Sequence, residues 1–351
     1  MKLKSWLLGS IMLYSGWVSA QDSTGEKESG HLSVHGNVDL YYKNVFHGLQ
    51  GPTTSFTGKN RGFELGMASL QLAYQYKKTG VVVDLGFGPR ARDFAYTDEG
   101  IMAAVKQAYV YYEPIQGLKF SAGSWATHIG YELLDPALNA NYSMSYLFST
   151  GPFSNTGVKV EYVKGSHHLM AGISNPTDYR HVPDSVLNNK TIIARYSYEK
   201  ENGLVLALNY SGGKQVDTAN VQQLDAVLSL PVSSAISLGW NGSIVFRKKK
   251  VSEASDNGND WRHWWGQAVY LKAQLNAKLQ LAVREEYFTD KDAISVIPLG
   301  GNVWSSTATL SYREGPFTFM PELRWDHFSH PYGGNAHQGQ VSGLMAVTYQ
   351  F

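Results

Sequence analysis

Sixteen stretches of this chain alternate in hydropathy with a period of two residues, and the connections between them alternate strictly in length. The stretches run over about 32–43, 63–77, 81–88, 103–113, 118–127, 156–163, 168–175, 191–199, 204–211, 221–230, 235–247, 262–275, 279–288, 302–313, 317–328 and 336–351. A two-residue repeat belongs to an extended strand whose faces meet different surroundings. Seven short connections, at 78–80, 114–117, 164–166, 200–203, 231–234, 276–278 and 314–316, interleave with eight long polar ones, at 44–62, 89–102, 128–155, 176–190, 212–220, 248–261, 289–301 and 329–335. A soluble sandwich has no reason to keep such a rhythm. A membrane-spanning barrel with short turns on one side and long loops on the other does. The even count places both ends on the side of the short turns. The expected fold is all-β, a 16-stranded antiparallel transmembrane β-barrel.

Two further patterns, partly independent of the first, support this reading. The last stretch ends on Phe351, with Tyr349, Val347, Met345 and Val341 on its face and mostly polar residues on the other. In a barrel this strand closes the cylinder against the first, so it cannot fray. A terminal aromatic on a closing strand also resembles the signal that outer-membrane assembly machinery recognises, which makes Phe351 and Tyr349 the expected assembly signal. The outward face also carries two girdles of aromatics: Tyr76, Tyr112, Tyr162, Tyr198, Tyr312 and Phe351 near the short turns, and Tyr42, Phe87, Tyr210, Phe246, Tyr287 and Trp325 near the long loops. Amphipathic rings settle at membrane interfaces. On the stretch from Arg262, Trp264 and Trp265 fall on opposite faces, and the pattern does not choose which points out.

Composition agrees. Twenty-two Tyr, nine Trp and 35 Gly with only 17% charged residues suit a wall between lipid and water. The chain has no Cys, which excludes a disulfide scaffold and thiolate metal sites. Lys2 and Lys4, an apolar run from Trp6 to Val18 and the small residues before Gln21 read as a secretory signal peptide over 1–20. A polar lead-in follows over 21–30, and the barrel occupies 31–351. Without Lys2 and Lys4, 28 basic residues face 29 acidic ones, so no strong field draws in nucleic acid.

About sixteen strands enclose an aqueous channel. The inward positions include Lys119, Lys159, Glu161, Arg195, Arg284, Glu322, Arg324 and Asp326. Charges in such number are costly in a dry core, so the lumen is expected to be wet. The longest loop, 128–155, contains Leu133, Leu134, Tyr142, Met144, Tyr146 and Phe148, an apolar content that suggests folding against the inner wall. An external lid or a subunit-contact loop is the alternative. Folded inward, Glu132 and Asp135 would face Lys119, Lys159, Arg195, Arg284 or Arg324 and set a transverse field, a filter for size and charge.

The segments HLSVHGNVDLYY, VKQAYVYYEP, AGSWATHIGYE and NANYSMSYLFSTGPFSNTGVKVEY resemble the OmpL-like β-barrel porins of Gram-negative bacteria. The resemblance covers most of the chain after the leader. It implies a sixteen-stranded outer-membrane porin passing small hydrophilic solutes.

A few motifs point to other chemistries. His327 and Ser329 in WDHFSH weakly resemble the lipid-facing pair of outer-membrane phospholipases, though those barrels have twelve strands. A structural or adhesive barrel without conductance is a third class. His327, His330 and His337 lack the spacing of a metal site, and the adjacent His167 and His168 face opposite ways. Gly86-Phe87-Gly88 precedes no helix, which discards nucleotide binding. Lys248, Lys249 and Lys250 read as a solvated or lipopolysaccharide-contacting surface. Small outward residues, Gly36, Ala104, Ala108, Ala122, Ser124 and Ala126, admit either a homotrimer contact or lipid-facing filler. The expectation is a passive diffusion channel in the outer membrane, partnered by its lipid and assembly machinery, with no catalytic residue, metal or cofactor.

Overall fold

The computed structural model describes residues 30–51, 53–95, 97–248, 261–295, 300–331 and 337–351. The leader over 1–20, almost all of the lead-in over 21–30, and Lys249 and Lys250 lie outside the described residues. Sixteen strands are present: β1 (His31–Gly48), β2 (Gly62–Tyr76), β3 (Thr79–Phe87), β4 (Val105–Ile115), β5 (Leu118–Ala126), β6 (Ser154–Lys164), β7 (His167–Ser174), β8 (Thr191–Glu199), β9 (Val205–Lys214), β10 (Asn220–Pro231), β11 (Ile236–Lys248), β12 (Trp261–Gln274), β13 (Leu279–Asp290), β14 (Gly301–Glu314), β15 (Phe317–Phe328) and β16 (Gly339–Gln350). Each pairs antiparallel with its neighbours in sequence, and β16 returns to β1 to close the barrel. Closure matters because an open strand edge in hydrocarbon would leave a row of unsatisfied amides and carbonyls.

The seam is finished by the last residue. Phe351 N donates to Gly36 O at 3.0 Å and accepts the Gly36 amide on its own carbonyl at 2.9 Å. Its ring lies over Gly36, where any Cβ would come within 2.4 Å of it.

The period-two pattern maps onto two faces. On β1, Val38 and Leu40 are exposed to the outside while Asn37, Asp39, Tyr41 and Lys43 are buried within. The register slips once between β1 and β2, where Leu40 pairs with Leu65 and Asp39 with Met67, so the parity of β2 shifts at this bulge. The structure also resolves the tryptophan pair. Trp264 points inward and packs on Phe288 with ring centroids 5.3 Å apart, while Trp265 points out beside Tyr287.

The strands extend beyond the sequence reading at the outer rim. β1 runs to Gly48, β6 begins at Ser154 and β9 runs to Lys214, because flanking strands still supply pairing partners there. The small-residue patch is less uniform than expected. Ala122 and Ala126 are exposed, Ser124 is buried, Gly36 lies beneath Phe351, and Ala104 sits in a 3-10 turn.

Candidate functional site

The third loop, residues 127–153 between β5 and β6, folds into the lumen, as its apolar content suggests. It descends along the wall of β9 to β12. The ring nitrogen Nε2 of His128 bonds to the carbonyl of Tyr210 at 2.9 Å, and the amide of Gly130 donates to Asp225 at 3.1 Å. Asp225 also accepts from Asn209 and Asn241, both at 2.7 Å, so this carboxylate is held by three donors. Tyr131 stacks on Tyr270 at 4.3 Å and rests over Gly239, where a Cβ would lie 2.7 Å from its ring. Burial pushes the His128 imidazole down to about 4, with Arg195 and Lys159 adding to the same effect, so the ring is neutral near pH 7.

Two carboxylates on the loop then reach opposite walls. Glu132 meets Arg284 of β13 at 2.6 Å, with both side chains withdrawn from water at 4% and 0% exposure. Its second oxygen accepts from the amide and hydroxyl of Ser145 at 2.8 and 2.7 Å. Arg284 also donates to Ser143 O and Thr307 Oγ1. Asp135 crosses to β4, where Lys106 Nζ lies 2.8 Å away and also 3.2 Å from Asp84. The loop is therefore braced across the barrel between β13 and β4.

Its return limb hydrogen-bonds to charges of the wall. Glu322 accepts from the amides of Tyr142 and Ser143 at 2.8 and 3.2 Å, and Tyr142 Oη donates to Asp39 at 2.7 Å. Arg324 donates to Met144 O at 2.7 Å and to Asp326 at 2.9 Å, and Asp326 accepts from Thr53 of the first loop. Glu286 takes the amides of Tyr146 and Leu147, each at 2.8 Å, at the start of the short helix α1 (Tyr146–Ser149). Inward charges that would be costly in a dry core are thus satisfied by loop backbone, and in this region polypeptide rather than water fills the lumen.

Above this layer the first three loops share an apolar core of Phe56, Phe94, Leu134, Met144, Phe148 and Phe153. Arg90 of the second loop is fully buried beside it, with its guanidinium 5.0 Å from the Tyr142 ring, 5.7 Å from the Phe56 ring and 3.8 Å from Asp39.

Of the remaining expected residues, Arg195 touches the loop through the His128 carbonyl at 3.3 Å. Lys159 pairs with Glu161 at 3.1 Å, and Arg195 with Glu199 at 3.5 Å; all four stay partly exposed on the inner face of β6 and β8. Lys119 lies over the Tyr111 ring at 4.6 Å. Of the wall cations expected to face Glu132 or Asp135, the structure brings one to the loop acids and adds another. Glu132 engages Arg284, Asp135 engages Lys106, which the sequence reading did not single out, and Lys119 and Lys159 make their contacts with the wall. Lys106 was legible as an inward position of β4. Arg90 carried no periodic signal.

The pair His327 and Ser329 is not assembled. His327 stacks on Trp325, while the Ser329 hydroxyl bonds His330 Nδ1 at 2.9 Å and accepts the Asn302 amide. Among the described residues no cluster of three His, Asp or Glu is arranged for a metal. Tyr349 and Phe351 both present their rings outward.

Comparison with known proteins agrees with this architecture. OmpT of Vibrio cholerae in a trimer form superposes with a TM-score of 0.64 at 10% identity, covering 92% of this chain and 100% of that one. An anion-selective porin from Comamonas acidovorans gives 0.62 at 12% identity, covering 92% and 100%. The outer-membrane channel DcaP of Acinetobacter baumannii gives 0.57 at 12% identity, covering 94% and 100%. At such identities these likenesses establish the fold. No curated protein sequence matches the chain. The profile of the family described as "Putative beta-barrel porin-2, OmpL-like" matches residues 31–351. With that match over the whole closed barrel, the chain belongs to this family and is an outer-membrane porin.

Proposed function

We propose that this porin conducts small hydrophilic solutes and ions by passive diffusion along the inner face of β5 to β8, with a weak preference for anions. The observation that carries the reading is the fate of the loop acids. Glu132 is paired with Arg284 of β13, and Asp135 shares Lys106 of β4 with Asp84, so both loop acids are engaged by wall cations away from β5 to β8. The partly exposed wall carries Lys119, Lys159 and Arg195 against Glu161 and Glu199, an excess of one positive charge. Arg324, Glu322 and Asp326 hold the loop and shape the constriction from behind. Affinity for any one solute is low, because conduction needs a site that releases what it admits. No catalytic residue takes part.

The trimer form of the Vibrio cholerae neighbour and the exposed Ala122 and Ala126 support a homotrimer. Planar-bilayer recording tests the function. Discrete steps and a reversal potential on the anion side in a salt gradient are expected, and Lys119→Glu with Lys159→Glu moves that potential toward cations. A barrel without steps would be structural or adhesive, and an unchanged potential would remove these lysines from the passage.

A further inference from the structure

Glu285 faces the membrane. It stands on the outward side of β13, three outward positions above Leu279 at the short-turn end and one below Tyr287 of the upper aromatic girdle. The row of paired residues through it confirms the depth. That row runs from Trp325 through Ser306, Glu285, Val269, Trp240 and Leu228 to Leu206 at the foot of β9, so Glu285 lies between the girdles. Among the described residues no other Asp, Glu, Lys or Arg occupies the outward face at this depth. An acid on the lipid face is costly unless it is paired, which makes its partner the question.

The chain satisfies one of its two oxygens. Oε2 accepts from Trp304 Nε1 at 3.1 Å and from the Ser306 hydroxyl at 2.6 Å, both on β14. Oε1 receives no donor from the described residues, and the side chain is only half-buried. It is left to a donor that arrives through the bilayer.

The surroundings select that donor. Directly above Glu285 the rings of Trp265, Tyr287 and Trp304 form a row, with centroids 5.5 and 6.0 Å apart. A carboxylate and aromatic faces both attract a cation. Below it, Val283, Leu271 and Leu281 offer an apolar run for a hydrocarbon chain. The ammonium of a phospholipid is tied to a phosphate at headgroup depth, above the girdle, whereas an alkylamine without phosphate can lower its nitrogen to Oε1. A second copy of this chain fits poorly. It has no Lys or Arg between the girdles, among the described residues, to place against the acid. In the closed ring of sixteen strands β13 also lies eight strands from β5, so a trimer contact at Ala122 and Ala126 leaves Glu285 facing lipid.

We infer that Glu285, Trp304 and Ser306 form an outer-wall site for a single-chain alkylammonium, its nitrogen on Oε1 and its chain laid toward Leu281. The inference concerns the lipid side of the wall and is independent of what passes through the lumen.

Native mass spectrometry of the protein purified in non-ionic detergent tests this, with dodecylammonium, dodecanol or dioleoylphosphatidylethanolamine added. One dodecylammonium per chain is expected, retained about tenfold better than dodecanol, a neutral donor on the same chain. Glu285→Gln, which keeps the shape and loses the charge, brings the two to equal retention while the subunit count stays the same. Glu285→Leu gives the same result should the amide variant lose the heat-modifiable mobility of a folded barrel. The comparison of amine with alcohol on the native protein needs no variant. Equal retention of the two there, a preference for the amine that survives loss of the acid, or better retention of phosphatidylethanolamine than of dodecylammonium would each overturn the assignment. A changed subunit count in Glu285→Gln with no amine held by the native protein would overturn it too, and would make this face a protein contact.

Discussion

Arg284 and Glu132 meet 2.6 Å apart where the third loop presses on β13, and neither side chain is reached by solvent. Their contact joins residues 152 positions apart and turns a loop that could lie outside the barrel into part of its interior.

Removing one member of a buried pair strands the other. Glu132→Ala leaves Arg284 uncompensated at a cost of about 3–5 kcal/mol. The same change frees the Ser145 amide and hydroxyl. The expected result is a detached loop, seen as larger and noisier single-channel steps at unchanged barrel content by circular dichroism. Glu132→Gln, which retains acceptors for Ser145, produces a smaller change. Steps of native size and noise in Glu132→Ala would show that the loop is held without this pair.

Arg90 fastens the second loop onto the third through two ring faces and Asp39. Arg90→Ala is expected to expose the segment around Phe148 and Phe153 to limited proteolysis while the strands remain protected. Arg90→Lys rescues little, because an ammonium cannot stack on both rings as a planar guanidinium does. Equal cleavage of native protein and Arg90→Ala would count against the clamp.

His128 gives the loop a pH dependence with a definite sign. Its folded value of about 4 lies below the ordinary 6.5, so between those limits the unfolded loop binds the proton more readily than the docked one. The docking contribution is complete above pH 6.5 and lost as pH falls toward 4, on the order of 3 kcal/mol in all. Arg195 donates to the His128 carbonyl at 3.3 Å and, with Lys159, opposes a second positive charge there, while the bond to the Tyr210 carbonyl partly offsets them. Channel noise should rise as pH is lowered through this window, and His128→Gln should flatten the response. A native profile in His128→Gln would assign the effect elsewhere.

The closing seam can be tested at Gly36. A Cβ there would come within 2.4 Å of the Phe351 ring, so Gly36→Val is expected to lift the ring from the seam and lower the yield of heat-modifiable barrel in outer-membrane fractions. Phe351→Ser should lower it further, since it removes the ring that we propose the assembly machinery reads. Full yield in both variants would dissociate the terminal aromatic from assembly.

Much of this was legible beforehand. All sixteen strands stand where the alternation placed them, because side-chain parity along a strand is local and a barrel wall imposes it on every strand at once. The inward course of the third loop was readable from Leu134, Met144, Tyr146 and Phe148, whose burial requires a second surface. Partner choice was not readable. Five wall cations were available to Glu132 and Asp135, and the path of the loop brought Arg284 to one and Lys106 to the other. Arg90 lies in an aperiodic loop, where nothing local marks a side chain destined for burial.

The amino-acid order by itself thus determined the closed sixteen-stranded tube, its inner and outer faces and the membrane it suits, since each follows from a two-residue repeat and the lengths between repeats. Only the tertiary structure decided which charges meet inside, how much of the lumen the first three loops fill, and which wall stays open to solute. Those outcomes depend on contacts between residues far apart in sequence, and no local pattern encodes which distant strand a loop will reach.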